Sequence, residues 1–286
     1  MPRLSEAKVH WRTFGHELTE KNLPSTNTFN LNLPDMDSIQ KFNGKAAAYT
    51  AGRPDYSENL IDCLYGKYGF SKDFVIADIG SGTGKFSRQL LDRQSEVYCV
   101  EPNENMRREA EKNLREYKNF HSVSGCAEKT TLESNFVDCV TVAQAFHWFN
   151  VPKFKRECSR ILKNGGKVFL IWNFRNREDL LNREWERLFS TFCPDFRGFS
   201  NGMMRDDEKI KRFFEKGYEK ESFEHPLRFN RQMFLERCKS SSYSLTANDE
   251  NFERYLSEMN ALFDKYEKNG WISISNRSVA YVGKVL

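Results

Sequence analysis

The chain has 286 residues, enough to bury a proper core as one large domain or as one domain with a small lobe. Hydrophobic content of 39% and charged content of 29% are ordinary for a soluble globular protein. The net charge of +4, from 44 basic and 40 acidic residues, is too small a surplus to argue for a nucleic-acid partner.

Apolar runs fall short of the roughly 20 residues that span a bilayer, and the opening Met1-Pro2-Arg3-Leu4 does not read as a signal peptide. A cytoplasmic protein, monomer or homodimer, without membrane attachment is the expectation. Seven cysteines at 63, 99, 126, 139, 158, 193 and 238 form no C-x-x-C pair. They read as small buried hydrophobes in a reducing compartment, not as disulfides or metal ligands, and no metal site is expected.

Residues 1–38 are polar, with Pro24 and Pro34, and read as an N-terminal extension. Trp11 and Phe14 suit a short helix near 4–20, followed by an extended arm. From there the pattern is regular. Leu60, Ile61, Leu64, Tyr65 and Tyr68 make a helical stripe, and strands then alternate with helices. Strands are expected at 74–79, 96–101, 120–124, 137–143 and 167–172, and helices at 84–93, 104–117 and 152–163, the last closed by Gly165-Gly166. Five such strands imply a parallel sheet covered on both faces.

After Trp172 the rhythm changes. A helix at 179–192 leads into an irregular stretch with Pro194, Gly198 and Gly202, then a short helix near 206–215. Residues 218–229 read as one strand, 231–240 and 249–268 as helices, and 278–285 as a closing strand. The expected organisation is an extension over 1–38, a ligand-binding core over 39–175, a cap insertion over 176–215, and completion of the sheet with cap helices over 216–286.

The most informative stretch is Val75-Ile76-Ala77-Asp78-Ile79-Gly80-Ser81-Gly82-Thr83-Gly84. An apolar strand runs into a glycine-rich loop, which lets a ligand lie on bare backbone and presents free helix N–H groups. A second strand, Val97 to Val100, ends in Glu101, 21 positions after Gly80, where a nucleotide-binding unit places its ribose-binding acid. The spacing of Gly80, Gly82 and Gly84 differs from the G-x-G-x-x-G of dinucleotide sites. With Asp78 at the strand end it resembles the first motif of class I S-adenosylmethionine (SAM) methyltransferases. A tight turn in another α/β protein stays open on the loop alone, and an NAD enzyme is disfavoured by the spacing and by Pro102.

Four further patches resemble the type-11 small-molecule branch of that class, the group of the trans-aconitate and cantharidin methyltransferases. They are Phe42 to Tyr56 with Tyr49 and Arg53-Pro54; Glu101-Pro102-Asn103 with Met106; Gly125-Cys126-Ala127-Glu128; and Ala143-Gln144-Ala145-Phe146-His147-Trp148. The likeness is strong over about 42–175 and is one of layout beyond. It implies a Rossmann-like, seven-stranded class I sheet with helices on both faces, and SAM as cofactor with S-adenosylhomocysteine as product.

The implied cofactor residues are Tyr49 beside the sulfonium, Arg53 on the methionyl carboxylate, Asp78 on the ammonium, and Gly80, Gly82 and Gly84 beneath the ligand. Glu101 would take the ribose hydroxyls, with Pro102, Asn103, Met106, Ala127 and Glu128 around the adenine. Core packing serves Met106 equally well, and Tyr49 equally suits an anchor for the N-terminal segment.

Gln144, also counted with the cofactor residues, and Trp148 share a strand end near the expected methyl, and His147 is the general-base candidate, with a structural hydrogen-bonding role as the alternative. Trp148, Trp172, Asn173, Arg175 and Tyr243 are the substrate-binding candidates, and Arg175 with Arg53 suits an anionic acceptor. The resulting expectation is methyl transfer to a small-molecule carboxylate or hydroxyl. A SAM-binding protein without transfer, or an RNA-directed enzyme, are the alternatives; against the latter, the box used for amino-directed base methylation is replaced by Gln144-Ala145-Phe146-His147.

Overall fold

A computed structural model describes residues 54–199, 208–241 and 243–285. The expected helix near 4–20, the arm, and the sites Tyr49 and Arg53 lie outside the described residues.

The first half runs α1 (Glu58–Gly66), β1 (Val75–Ile79), α2 (Lys85–Asp92), β2 (Glu96–Val100), α3 (Glu104–Leu114), β3 (Phe120–Val123), β4 (Val137–Ala143), α4 (Val151–Ile161) and β5 (Leu162–Arg175). The second half runs α5 (Leu180–Phe192), α6 (Glu208–Phe213), β6 (Glu219–Glu224), β7 (Leu227–Asn230), α7 (Arg231–Lys239), α8 (Phe252–Tyr266), β8 (Trp271–Ile274) and β9 (Asn276–Gly283). Seven strands form one sheet in the order β3-β2-β1-β4-β5-β9-β6. Strands β1 to β5 pair in parallel, and β9 is antiparallel to both neighbours.

Burial on both faces explains the near-continuous apolar strands. Ile76, Cys139, Phe169 and Ala280 face one way and join Leu60, Leu64, Phe86 and Leu90 of α1 and α2. Their chain neighbours Ala77, Val140, Leu170 and Tyr281 face the other way and join Phe154 and Ile161 of α4. The period of two thus divides each strand between two cores. Four helices start at a capping Asn or Asp: Asn103, Asn150, Asp179 and Asn230 each accept an N–H from three residues on.

A third apolar cluster lies outside these two. Trp185 and Phe189 of α5 pack with Phe234, Tyr255, Met259, Phe263 and Ile272, and β7 pairs with β8 in a separate two-stranded sheet. The cap is drawn from two stretches, near 180–199, within the expected insertion 176–215, and 227–274, which holds the expected cap helices. Between them the chain returns to the main sheet. Ile210, Phe213 and Phe214 join the α4 side of the core, and β6 takes the sheet edge beside β9. The strand expected over 218–229 is two strands in two sheets, broken at Pro226, whose ring removes a ladder donor.

Candidate active site

The strand order reverses between β1 and β4, and open α/β sheets bind ligands at such a point beyond the carboxyl ends of the strands. A cavity of about 380 Å³ lies there. The loop after β1 forms its floor through Gly80 to Thr83, the end of β4 contributes Gln144, His147 and Trp148, and β5 contributes Asn173 and Arg175. The cap supplies the facing wall, including Arg197, Phe229, Arg237, Tyr243 and Ile274.

The loop is tied down at its base. Gly80 N–H donates to Val100 O at 2.8 Å, and Gly82 N–H to Glu101 Oε2 at 2.9 Å. Gly80 has φ +68°, and a Cβ there would meet the Ala145 Cβ at 2.7 Å. Gly82 has φ +58° with nothing within 4 Å of a Cβ, so it borders open space.

Glu101 is 8% exposed and uses both carboxylate oxygens, the second accepting from Asn103 N–H at 2.8 Å. Burial raises its pKa, and the two N–H donors and Arg107 pull it back. Asp78 is fully buried beneath the loop rather than on the cavity lining. It accepts from Ser87 Oγ at 2.6 Å and Thr141 Oγ1 at 2.9 Å. Burial pushes its pKa up to about 6 against those two hydroxyls.

The strand-end residues divide by register. Asn173 and Arg175 line the cavity, whereas Trp172 is fully buried on the other face against Phe146 and Tyr281. Alternation along β5 sends Trp172 away from the site its neighbours line. Asn173 also ties elements together: Nδ2 donates to Asp55 O at 3.0 Å, its Oδ1 accepts from Ser278 Oγ at 2.6 Å, and its carbonyl accepts from Gln144 Nε2 at 3.3 Å. Gln144 has φ +61°, a left-handed conformation costly for a side-chain-bearing residue. The turn Phe146–Trp148 is held by Lys209 Nζ, which donates to His147 O at 3.0 Å.

The residues assigned to the adenine lie outside this lining. Asn103 caps α3 by accepting from Met106 N–H at 3.0 Å, Met106 and Ala127 are 3% and 4% exposed, and Glu128 accepts from Asn150 N–H at 2.7 Å. Gly84 precedes α2, and Pro102 follows the acid.

Arg197 and Arg237 escaped the sequence reading because neither sits in a motif; the fold carries them across from the cap. Arg237 is 4% exposed, and its Nη1 donates to Ser240 Oγ at 3.3 Å and Ser241 Oγ at 3.2 Å. The Arg175 guanidinium stacks over Trp185 and Phe199, 4.4 and 3.8 Å from the ring centroids.

The loop after β1 suits a polar ligand. Ser81 Oγ and Thr83 Oγ1 are buried with no hydrogen-bond partner among the described residues. Buried hydroxyls without partners call for a ligand or water to satisfy them. The buried Asp78 carboxylate lies on the strand that feeds the loop. All seven thiols are free, no metal-holding group of three His, Cys, Asp or Glu occurs among the described residues, and none of their helices is long and apolar enough to cross a membrane.

Residues 77–170 match the family described as a methyltransferase domain. An uncharacterized methyltransferase of Mycobacterium tuberculosis is 34% identical over 140 residues, 49% of this chain and 55% of that protein. The chain thus spans about half the length of the curated relatives it matches. A solved structure from Anaeromyxobacter dehalogenans, assigned as a type II methyltransferase, superposes with a TM-score of 0.61 at 22% identity, covering 82% of this chain and 98% of that one. A phosphoethanolamine N-methyltransferase of Haemonchus contortus, solved with phosphomonomethylethanolamine and S-adenosylhomocysteine, superposes with a TM-score of 0.51 at 17% identity over 88% of this chain and 59% of its own. Strand order, family match and relatives agree on one architecture.

Proposed function

We propose that the class I methyltransferase domain of this chain serves methyl transfer from SAM to an oxygen of a small organic acceptor held between the glycine loop and the cap. The observation that carries this reading is the cavity at the β1/β4 switch point, floored by a glycine loop in left-handed backbone that carries two buried hydroxyls and is tied from behind to the Glu101 carboxylate.

When bound, SAM supplies a methyl group made electrophilic by its sulfonium. Gly80 to Thr83 would hold the methionyl end through backbone and hydroxyl groups, Asp78 would stabilise positive charge from below, and Glu101 would accept ribose hydroxyls. Tyr49, Arg53, Gly84, Pro102, Asn103, Met106, Ala127, Glu128 and Gln144 complete the proposed cofactor set.

Gln144 and Trp148 at the end of β4 would align the acceptor, and the cap would exclude water. His147 lines the same cavity, where its imidazole takes the proton of an acceptor hydroxyl; an acceptor carboxylate needs no base. A cavity roofed by Phe229, Tyr243 and Ile274 favours a small acceptor over a polynucleotide.

Calorimetric titration with S-adenosylhomocysteine, with NADH as control, tests the cofactor. Micromolar binding of the former alone is expected; binding of NADH instead would sink the reading. Radiolabelled SAM with a panel of small carboxylates and phenols then tests transfer.

A further inference from the structure

Three guanidiniums and one acid line the cap side of the cavity: Arg175, Arg197 and Arg237 against Asp195. The remaining lining cation, Lys85, is 3.2 Å from the Asp55 carboxylate, which it shares with Arg88. Each arginine is held before any ligand arrives. The Ser240 and Ser241 hydroxyls fix one edge of the buried Arg237, Arg175 packs in the corner between the Trp185 and Phe199 rings, and Arg197 donates to the carbonyls of Pro194 and Phe196 at 2.6 and 3.2 Å. Positioned guanidiniums lose little freedom on pairing and offer a planar fork that matches a carboxylate. Leu227, Phe229 and Ile274 line the same wall and give an apolar surface beside the charges.

We infer that Arg237, with Arg175 and Arg197, forms an anion subsite that anchors the acceptor by a carboxylate group, the apolar body of the acceptor lying against Phe229. This rests on the cavity being the methyl-transfer site proposed above. The anchored carboxylate is a handle and not the methylated atom. Turning a clamped carboxylate into a neutral ester would forfeit its guanidinium bonds as the reaction proceeds, so binding strength there would oppose reaction at that oxygen. The acceptor is accordingly a small molecule with two functional groups, a carboxylate for the cap and a separate nucleophilic atom for the strand end at Gln144 and His147.

The test is calorimetry on the full chain with 4-hydroxyphenylacetate, its neutral amide and phenyl phosphate, with and without S-adenosylhomocysteine. The acid is expected to bind and the amide to bind at least about tenfold more weakly, the worth of a charge-assisted hydrogen-bond pair. Arg237→Met should weaken the acid by roughly ten- to a hundredfold, Arg237→Lys by less, and neither should change the affinity for S-adenosylhomocysteine.

The inference is overturned if the acid does not bind, if acid and amide bind alike, or if phenyl phosphate binds more tightly than the acid. It is equally overturned if Arg237→Met leaves the acid untouched or weakens S-adenosylhomocysteine as much, which would make Arg237 a cofactor ligand. Should Arg237→Met not fold, the acid–amide comparison on the unaltered chain and Arg197→Met at the exposed rim decide the matter. Binding of the acid without binding of S-adenosylhomocysteine would leave the anion subsite standing and remove the methyl-transfer reading.

Discussion

Ser87 of α2 donates to the Asp78 carboxylate at 2.6 Å, and both residues are fully buried beneath the glycine loop. The bond joins the end of β1 to the helix that follows, so the loop between them is held at both ends. Thr141 on the neighbouring strand supplies the second donor. The two hydroxyls only partly offset the burial of a charge, which is why the acid is held at a pKa of about 6.

A pH dependence follows from that shift. The folded-state value lies above the ordinary 3.8, so the stability that Asp78 contributes is fully present below about pH 4 and is lost as pH rises through about 6. The loss is on the order of 3 kcal/mol at neutral pH, from 1.36 kcal/mol per unit. Asp78→Asn keeps an acceptor and a donor for the two hydroxyls and removes the charge. Thermal unfolding of the ligand-free variant between pH 4 and 7 should show a flatter profile and a Tm at pH 7 equal to or above that of the parent. Affinity for S-adenosylhomocysteine should fall, because the charge suits a cationic ligand. A Tm lowered equally at every pH would instead make Asp78 a purely structural hydrogen-bonding residue.

Glu101 couples the loop to α3, since Gly82 N–H and Asn103 N–H take one carboxylate oxygen each. Glu101→Gln keeps one good acceptor and turns the other position into a donor facing an N–H. A stability loss of about 1–3 kcal/mol is expected from the unsatisfied pair. Calorimetry should show S-adenosylhomocysteine weakened by roughly tenfold or more, the cost of losing one carboxylate oxygen for the ribose hydroxyls. Unaltered affinity would remove Glu101 from the cofactor set and leave it as the tie between loop and helix.

The middle of the sheet was legible because strands such as β1 and β4 are buried along almost their whole length and read as apolar runs; 137–143 is the span observed. The loop was legible because glycine spacing is local. The cap was not. Its core joins Trp185 to Phe234 and Met259, residues far apart in sequence, while the intervening Phe213 packs under the main sheet. Helical stripes at 179–192 and 249–268 show that each helix buries a face but not which partner covers it. For the same reason Arg237 had no signal, whereas Trp172 drew attention at a strand end and proved to face the core. Counting alternate positions from Arg175 would have separated it from Asn173.

Gln144 sits at φ +61° where β4 leaves the sheet, and its Nε2 reaches Asn173 O at 3.3 Å. Such a conformation persists only when its surroundings enforce it, and it aims the side chain at the cavity. Gln144→Gly should relieve the strain and raise stability by up to about 1 kcal/mol in urea unfolding. With a labelled acceptor in hand, the variant should lose transfer rate more than S-adenosylhomocysteine affinity, since the backbone of the loop after β1 is untouched. Gln144→Ala should lose the rate without the gain in stability. Equal stability of the Gly and Ala variants would mean that the left-handed turn carries no strain.

Gly80 and Gly82 both have positive φ, yet they should respond differently to the same methyl group. At Gly80 a Cβ would lie 2.7 Å from the Ala145 Cβ and 3.3 Å from the Phe149 ring, so the turn carrying His147 must move. At Gly82 it would enter open space at the edge of the cavity. Gly82→Ala therefore costs only the backbone term, about 1 kcal/mol, while Gly80→Ala adds overpacking of about 1–3 kcal/mol. Urea unfolding of the two variants should separate them by at least the second amount. The order for ligand binding depends on what fills that open space. If the cofactor rests on the loop there, Gly82→Ala should weaken S-adenosylhomocysteine well beyond its small effect on stability. If it leaves the affinity unchanged, the open space at Gly82 belongs to solvent and the cofactor must lie closer to Ser81 and Thr83.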